Sequence, residues 1–401
     1  MRQFLLTAGL GLALMPAIAM PAWAVDAQSV SDRLVKLLGD EGVEIEVGSA
    51  KEDGDDVVLA DVQVGDGDKQ FSYDEIRLED VTEDGDYFRI QRAELPARAV
   101  DLDEETKLDL SAISFEQLQL LRQDDPDNIA PIQVEAFQMD RLAVSVPAGE
   151  FVRMENLSAT GMSYDPEKPM SSTGSIGRFV FNTQLPYGDE SNAESSRAMR
   201  QQLADLGYST IEGRGEGSGR YDPQNGTLTF VQRMEFDDAA TLQFEGKASA
   251  VTPELMLEFQ KLDRKISQVD DEERQFEMMT QEMAPLYRQV VLNKFSLRID
   301  DASLTDKIIG VAAKRQNAQP EQLKLQMAMI APAVLASYVP ADLAQKVGAA
   351  LQTYLNDPQS LSIMIEPKDG TTVGQIADTA KSNPQELPAL LNPDIMANQA
   401  E

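Results

Sequence analysis

Val58-Leu59-Ala60-Asp61-Val62-Gln63-Val64 and Arg141-Leu142-Ala143-Val144-Ser145-Val146 are the stretches on which the fold turns. In the first, Val58, Ala60, Val62 and Val64 alternate with Leu59, Asp61 and Gln63. In the second, Leu142, Val144 and Val146 alternate with Arg141, Ala143 and Ser145. A period of two is the mark of a strand with one buried and one wet face. Leu228–Phe230 and Leu242–Phe244 repeat it, and the period persists from Val43 to Ala250. Turn clusters separate the strands: Asp53-Gly54-Asp55, Gly65-Asp66-Gly67-Asp68, Asp84-Gly85-Asp86 and Asn225-Gly226, the last a hairpin signal. Ile76-Arg77-Leu78-Glu79-Asp80-Val81 and Val152-Arg153-Met154-Glu155-Asn156-Leu157 match class for class, an internal echo of apolar, Arg, apolar, Glu, Asp/Asn, apolar.

On the N-terminal side, Ser29–Gly39 has a helical spacing with Val30, Leu34, Leu37 and Leu38 on one side. Before it, Arg2 precedes the apolar run Phe4–Ala19, and Pro21 leads to Ala22-Trp23-Ala24. That is the layout of a secretory signal peptide, residues 1–24, with a small-residue cleavage site. The prolines at 16 and 21 and the cleavage triplet favour removal over an uncleaved membrane anchor. The expected address is the periplasm, with a soluble product after cleavage.

On the C-terminal side, Gln184–Leu206 has the composition of a polar insertion, helical over Ala193–Leu206. Thr252-Pro253 is a strong helix start. Leu255, Phe259, Leu262, Ile266, Val269, Phe276, Met283, Tyr287 and Val290 then predict one amphipathic helix of up to nine turns, kinked or ended by Pro285. A strand at Leu292–Ile299 follows. Helices are expected near Ser303–Arg315, Pro320–Ser337 and Ala341–Leu355, then a strand at Leu361–Ile365 and a short helix at Thr371–Ala380. The expected organisation is a β-rich domain over 25–251, a helical region over 252–382 with one or two strands completing the sheet, and a loosely ordered tail over 383–401.

Composition closes off several chemistries. The 401 residues include no cysteine and no histidine. Disulfides, thiol catalysis and thiolate metal sites are excluded, as are Ser-His-Asp hydrolases and histidine-dependent metalloproteases. A net charge of −33 opposes nucleic acid, whose binding rests on lysine and arginine meeting phosphates. Gly213-Arg214-Gly215-Glu216-Gly217-Ser218-Gly219 misses the dinucleotide spacing and leads into a hairpin instead of a helix. Its alternate glycines suit a tight bend or the close approach of another element. No phosphate-binding loop, no G-x-S-x-G and no S-x-x-K is present. The acidic pairs Asp53/Asp55, Asp66/Asp68, Asp84/Asp86 and Asp101/Asp103 lack the EF-hand pattern and read as solvated turns. Met278, Met279, Met283, Met327 and Met329 are expected to fill the core. The sequence therefore names no catalytic, cofactor-binding or metal-binding residue, and no cofactor.

With its one-face-apolar strands, the echo at Ile76–Val81 and Val152–Leu157, and its helical close, the chain resembles the AsmA-like and YdgA-like bacterial envelope proteins over about Val43–Ile299. The resemblance implies a long, curved β-sheet with an apolar inner face, and with the helical pattern after Thr252 the expected fold is α+β: a long curved antiparallel sheet, groove- or taco-like, followed by a mainly helical C-terminal region. It implies a place in lipid handling or outer-membrane homeostasis. Such proteins commonly keep an N-terminal anchor, which this chain is expected to lose. The functional expectation is a non-enzymatic periplasmic protein binding acyl chains in an apolar β-groove. The alternative is an envelope interaction or scaffold protein whose sheet is plugged by its own helices. The expected partner is accordingly a lipid or an envelope protein, with no nucleic acid and no nucleotide.

Overall fold

A computed structural model describes residues 25–399 apart from 66–70, 104, 186–192, 268, 270, 337 and 338. The export segment 1–24 and the Asp66/Asp68 pair lie outside the described residues. Helix α1 (Ala27–Asp40) opens the fold, and the strands β1 (Ile45–Asp53), β2 (Asp56–Val64), β3 (Phe71–Asp84) and β4 (Tyr87–Leu95) follow as hairpins. The short pair β5 (Arg98–Asp101) and β6 (Lys107–Leu110) precedes β7 (Ile113–Leu121), β8 (Ile132–Gln133) and β9 (Ala136–Val146). A meander then runs through β10 (Gly149–Thr160), β11 (Met170–Asn182), β12 (Thr210–Asp222), β13 (Thr227–Phe236) and β14 (Ala240–Ser249), with α2 (Ala193–Asp205) between β11 and β12. The main row is completed by β15 (Val291–Asp301), β16 (Ser360–Ile365) and β17 (Pro393–Ala397), all strand pairs being antiparallel.

The long antiparallel sheet and the helical close are as expected, but the curled, groove- or taco-like shape does not form. Among the described residues β1 pairs with β2 alone and β17 with β16 alone, so the sheet stays open. The reason lies in how the apolar face is covered. At one end α1 packs Val30 and Leu37 onto Val57, Leu59, Ile76, Leu78, Ile90 and Leu120. At the other end Ile309, Ala313, Leu323, Tyr354 and Leu355 form a second core with Ala397. Each end is sealed by its own helices, so neither gains by folding onto the other.

The two faces separate along the whole sheet. Residues directly opposite in neighbouring strands share a face. Arg77, Glu94, Ser114, Gln138, Ser158, Ser175, Glu216, Arg233, Gln243, Arg298 and Ser362 stand opposite one another across eleven successive strands. One residue along, the partners are Val57, Leu78, Ala93, Phe115, Phe137, Ala159, Gly174, Gly217, Gln232, Phe244, Leu297, Ile363 and Ile395. From β2 to β17 only Gln232 interrupts the apolar row, and at the β1 edge Glu52 stands opposite Val57.

Strand alternation is not strict, and the exceptions follow a rule. In β2 the buried residues are Val57, Leu59 and Val62, not the expected Val58, Ala60, Val62 and Val64. Asp61 between them has φ 54°, and this left-handed residue moves the buried side by one position. Asp80 (φ 49°), Gln117 (φ 50°) and Asn156 (φ 55°) occupy the same place in β3, β7 and β10. The local pattern is alike each time: apolar, any, apolar, Ala or Glu, then Asp, Asn or Gln, then apolar, as in Ile113-Ser114-Phe115-Glu116-Gln117-Leu118. The two-copy echo is thus part of a four-copy device, and its polar fifth residue is a short side chain or amide where the left-handed region is least costly.

After β14 the expected single long helix is broken. α3 (Pro253–Ser267) ends before Asp271, whose carboxylate accepts from the Arg274 N–H and caps α4 (Glu272–Met278). A π-helical turn over Met279–Met283 leads without a break into α5 (Ala284–Tyr287), whose first turn holds Pro285. α6 (Leu304–Gln316), α7 (Pro320–Leu335) and α8 (Ala341–Asn356) lie between β15 and β16. α9 (Val373–Ser382), with a Thr372/Gln375 capping box, and α10 (Leu387–Leu391) precede β17. Residues 383–399, expected to be a loose tail, therefore supply a helix and an edge strand, because Ile395 and Ala397 join the second core.

Candidate functional site

Two surface features stand out, one polar and one apolar. The polar one is a shallow, open depression of about 960 Å³ on the hydrophilic face of β10–β15. Paired hydroxyls line it: Ser158 with Ser175 and Thr160 with Thr173, each at 2.9 Å. Arg233 donates to the Gln243 carbonyl oxygen at 3.3 Å, Gln243 donates to Glu245 at 3.0 Å, and Lys294 to Glu245 at 3.2 Å. These last two contacts, from Gln243 first and then Lys294, hold the Glu245 carboxyl below its ordinary range. Arg298 pairs with Asp300 at 2.6 Å. Each cation is engaged with a neighbour, which is the behaviour of a solvated sheet face.

The glycines of β12 lie on the opposite, apolar face, where Gly217 faces Gly174 and Gly213 faces Phe179. A methyl group added at Gly213 would overlap the Glu235 carbonyl oxygen and meet the Phe179 ring at 2.7 Å, so close approach holds there. At Gly215 and Gly217 nothing would lie nearer than 3.6 Å. At Gly219 the Ser172 hydroxyl oxygen would lie at 3.2 Å, so the glycine run is tight at its two ends and open between them.

The apolar feature is α7. Pro320 begins the helix, and its charges, Glu321 and Lys324, fall near the start. Lys324 donates to Asp306 at 2.7 Å. From Leu325 to Leu335 no residue is charged. Leu323 enters the core, and Pro332 lies so close to Gly348 of α8 that a methyl group there would overlap its ring. The remaining sides face outward: Leu325 is 57% exposed, Met329 70%, Val334 52% and Ile330 48%. Met327, Ile330, Ala331, Val334, Leu335 and Leu351 line an open groove of about 500 Å³ beside this ridge. A helical stretch that is apolar all round, as Met327–Leu335 is, belongs in a core or against a partner.

The expectation that the methionines fill the core fails for Met279, Met327 and Met329, all exposed. The acidic pairs lie in turns as read: Gly54 and Gly85 take positive φ in the hairpins that carry Asp53/Asp55 and Asp84/Asp86. Asp103 accepts from the Glu105 and Thr106 N–H groups. Among the described residues no group of three or more carboxylates is placed to hold a metal ion, and no helix is long and apolar enough to cross a membrane. Sequence reading missed Arg33, buried on α1, whose guanidinium donates to the carbonyls of Leu121 and Gln123 and pairs with Asp124. Its charge on an otherwise apolar side was the available signal.

Residues 233–398 match a family described as "Uncharacterized protein". The matched stretch contains the second core and the whole α7 surface. None of the curated proteins matches the chain.

Proposed function

We propose that this chain is an exported, non-enzymatic interaction protein of the cell envelope, a scaffold that docks another protein chain through α7. The carrying observation is a helix that is uncharged and outward-facing over Leu325–Leu335, on a chain of net charge −33. Large exposed apolar patches on soluble proteins mark interaction sites. Methionine-rich ones suit adaptable contacts. The sheet supports this reading as a rigid platform: its polar groups are mutually engaged and its apolar face is sealed at both ends. A photo-crosslinking residue at position 329, tested in intact envelopes, is expected to give a discrete protein adduct, while one at position 216 on the polar face gives none. No adduct at position 329 would refute the reading.

A second reading, acyl-chain binding, draws on the same α7 groove, since seven of its nine lining residues are apolar, Gln316 and Gln326 being the exceptions. Native mass spectrometry of protein purified without detergent separates the two. A bound mass in the fatty-acyl range supports the ligand; a bare protein mass leaves the groove to a protein partner.

A further inference from the structure

We propose that the chain docked on α7 is a second copy of this protein, the two copies meeting through an antiparallel α7–α7 contact near a two-fold axis at Met329. The inference rests on the reading of α7 as a docking surface and specifies its occupant. Three observations carry it. The first is self-complementarity. Leu325 and Met329 form a ridge on the helix, and Met327, Ile330 and Val334 line the groove directly beside it. A two-fold contact requires ridge and groove on the same patch, so that each copy fills the other.

The second is charge. Three cations near the patch are already paired, Lys324 with Asp306, Lys346 with Asp394 and Arg315 with Asp205. Leu325–Leu335 carries none. The patch has little with which to select a basic or acidic stranger. It also brings no like charges together when it meets itself, although each copy carries −33.

The third is area. Five large side chains at these exposures leave on the order of 500 Å² open, near the top of what monomers tolerate. A stable interface needs about 800 Å² from each partner, of which this patch would form the apolar core and the polar residues around it the rim.

The repulsion between two acidic bodies gives the contact a distinctive salt response. Screening shortens to about 8 Å at physiological ionic strength, so self-association should tighten as salt rises, the reverse of an ion-paired interface. Sedimentation of the purified full chain, with its leader processed as in the cell, is expected to show a dimer in 0.15 M salt and at least a tenfold weaker one in 0.01 M salt. Leu325→Glu with Met329→Glu is expected to give a monomer with unchanged circular dichroism. The chain has no native cysteine, so Met329→Cys provides a clean probe: mild oxidation should crosslink two copies, whereas Ser49→Cys on the free edge of β1 should not.

A monomer at all concentrations with no Met329→Cys crosslink overturns the inference. If position 329 then captures a different envelope protein, the docking reading survives and only the second copy is lost. If it captures nothing, both fall. A dimer that survives the double glutamate variant, or that crosslinks through Ser49→Cys, also overturns it by placing the interface on a sheet edge.

Discussion

Alanine at Gly213 and alanine at Gly217, two turns of the pleat apart on the same strand face, should shift stability in opposite directions. Neither glycine has a left-handed φ, so alanine is conformationally allowed at both, and the difference comes from space. At Gly217 the nearest atoms to an added methyl are Gln232 Cγ and the Val231 carbonyl oxygen, both at 3.6 Å, an ordinary contact. The substitution there removes freedom from the unfolded chain and should stabilise by about 0.5–1 kcal/mol. At Gly213 the methyl would run into the Glu235 backbone carbonyl of β13 and the Phe179 ring. A carbonyl held in a ladder cannot swing aside, so the strands must part, at about 1–3 kcal/mol of overpacking. The two variants should therefore differ by about 1.5–4 kcal/mol, and with a urea slope near 3 kcal/mol/M their midpoints should lie about 0.5–1.3 M apart. The only tryptophan is Trp23, so tyrosine emission can follow unfolding, with buried Tyr221 at the end of β12 as the local reporter. Equal shifts of the same sign would refute the register of β11–β13 and the face assigned to the glycine run.

Two further substitutions test the N-terminal core and the strand device. Arg33→Met removes a buried guanidinium and strands the carbonyls of Leu121 and Gln123, and should cost about 3 kcal/mol by thermal or urea unfolding. Its acid behaviour has a sign. Arg33 first and Lys36 second hold the Asp124 carboxyl below its ordinary 3.8, so the stabilisation is complete above pH 3.8 and fades as pH falls through the lower folded value. Asp124→Asn should match the parent most closely at the acid end of a pH series and diverge from it above pH 4. Asn156→Val puts a branched side chain at φ 55° and should cost about 1–3 kcal/mol, while Asn156→Gly should be near neutral.

The strands were legible because period two needs only local information, and the hairpin turns because their glycines must take positive φ. What misled was the assumption that a strand keeps one buried side from end to end. Val58, Ala60, Val62 and Val64 alternate in the sequence, yet Val57, Leu59 and Val62 are buried, since Asp61 is left-handed. That information was present, in the polar residue shared by Asp80, Gln117 and Asn156, but its meaning depends on φ, which composition does not give. The curl was not legible for a different reason. Whether a one-face-apolar sheet folds on itself depends on where its covering helices settle, and α1 and α6–α8 settle at opposite ends.

The α7 surface carries the clearest case of a pattern whose meaning reverses with secondary structure. Leu323-Lys324-Leu325-Gln326-Met327-Ala328-Met329 alternates with period two, which in a strand would give one apolar face. Pro320 at the first turn and the good helix formers after it make this stretch helical. At 3.6 residues per turn, a period-two pattern scatters its apolar side chains around the axis. Leu323 therefore reaches the core while Leu325 and Met329 cannot. No packing against α6 and α8 can bury all of them at once, because two neighbours cover only part of a helix. The exposed remainder follows from the sequence itself, and a helix whose pattern its own fold cannot satisfy is where a partner has something to gain.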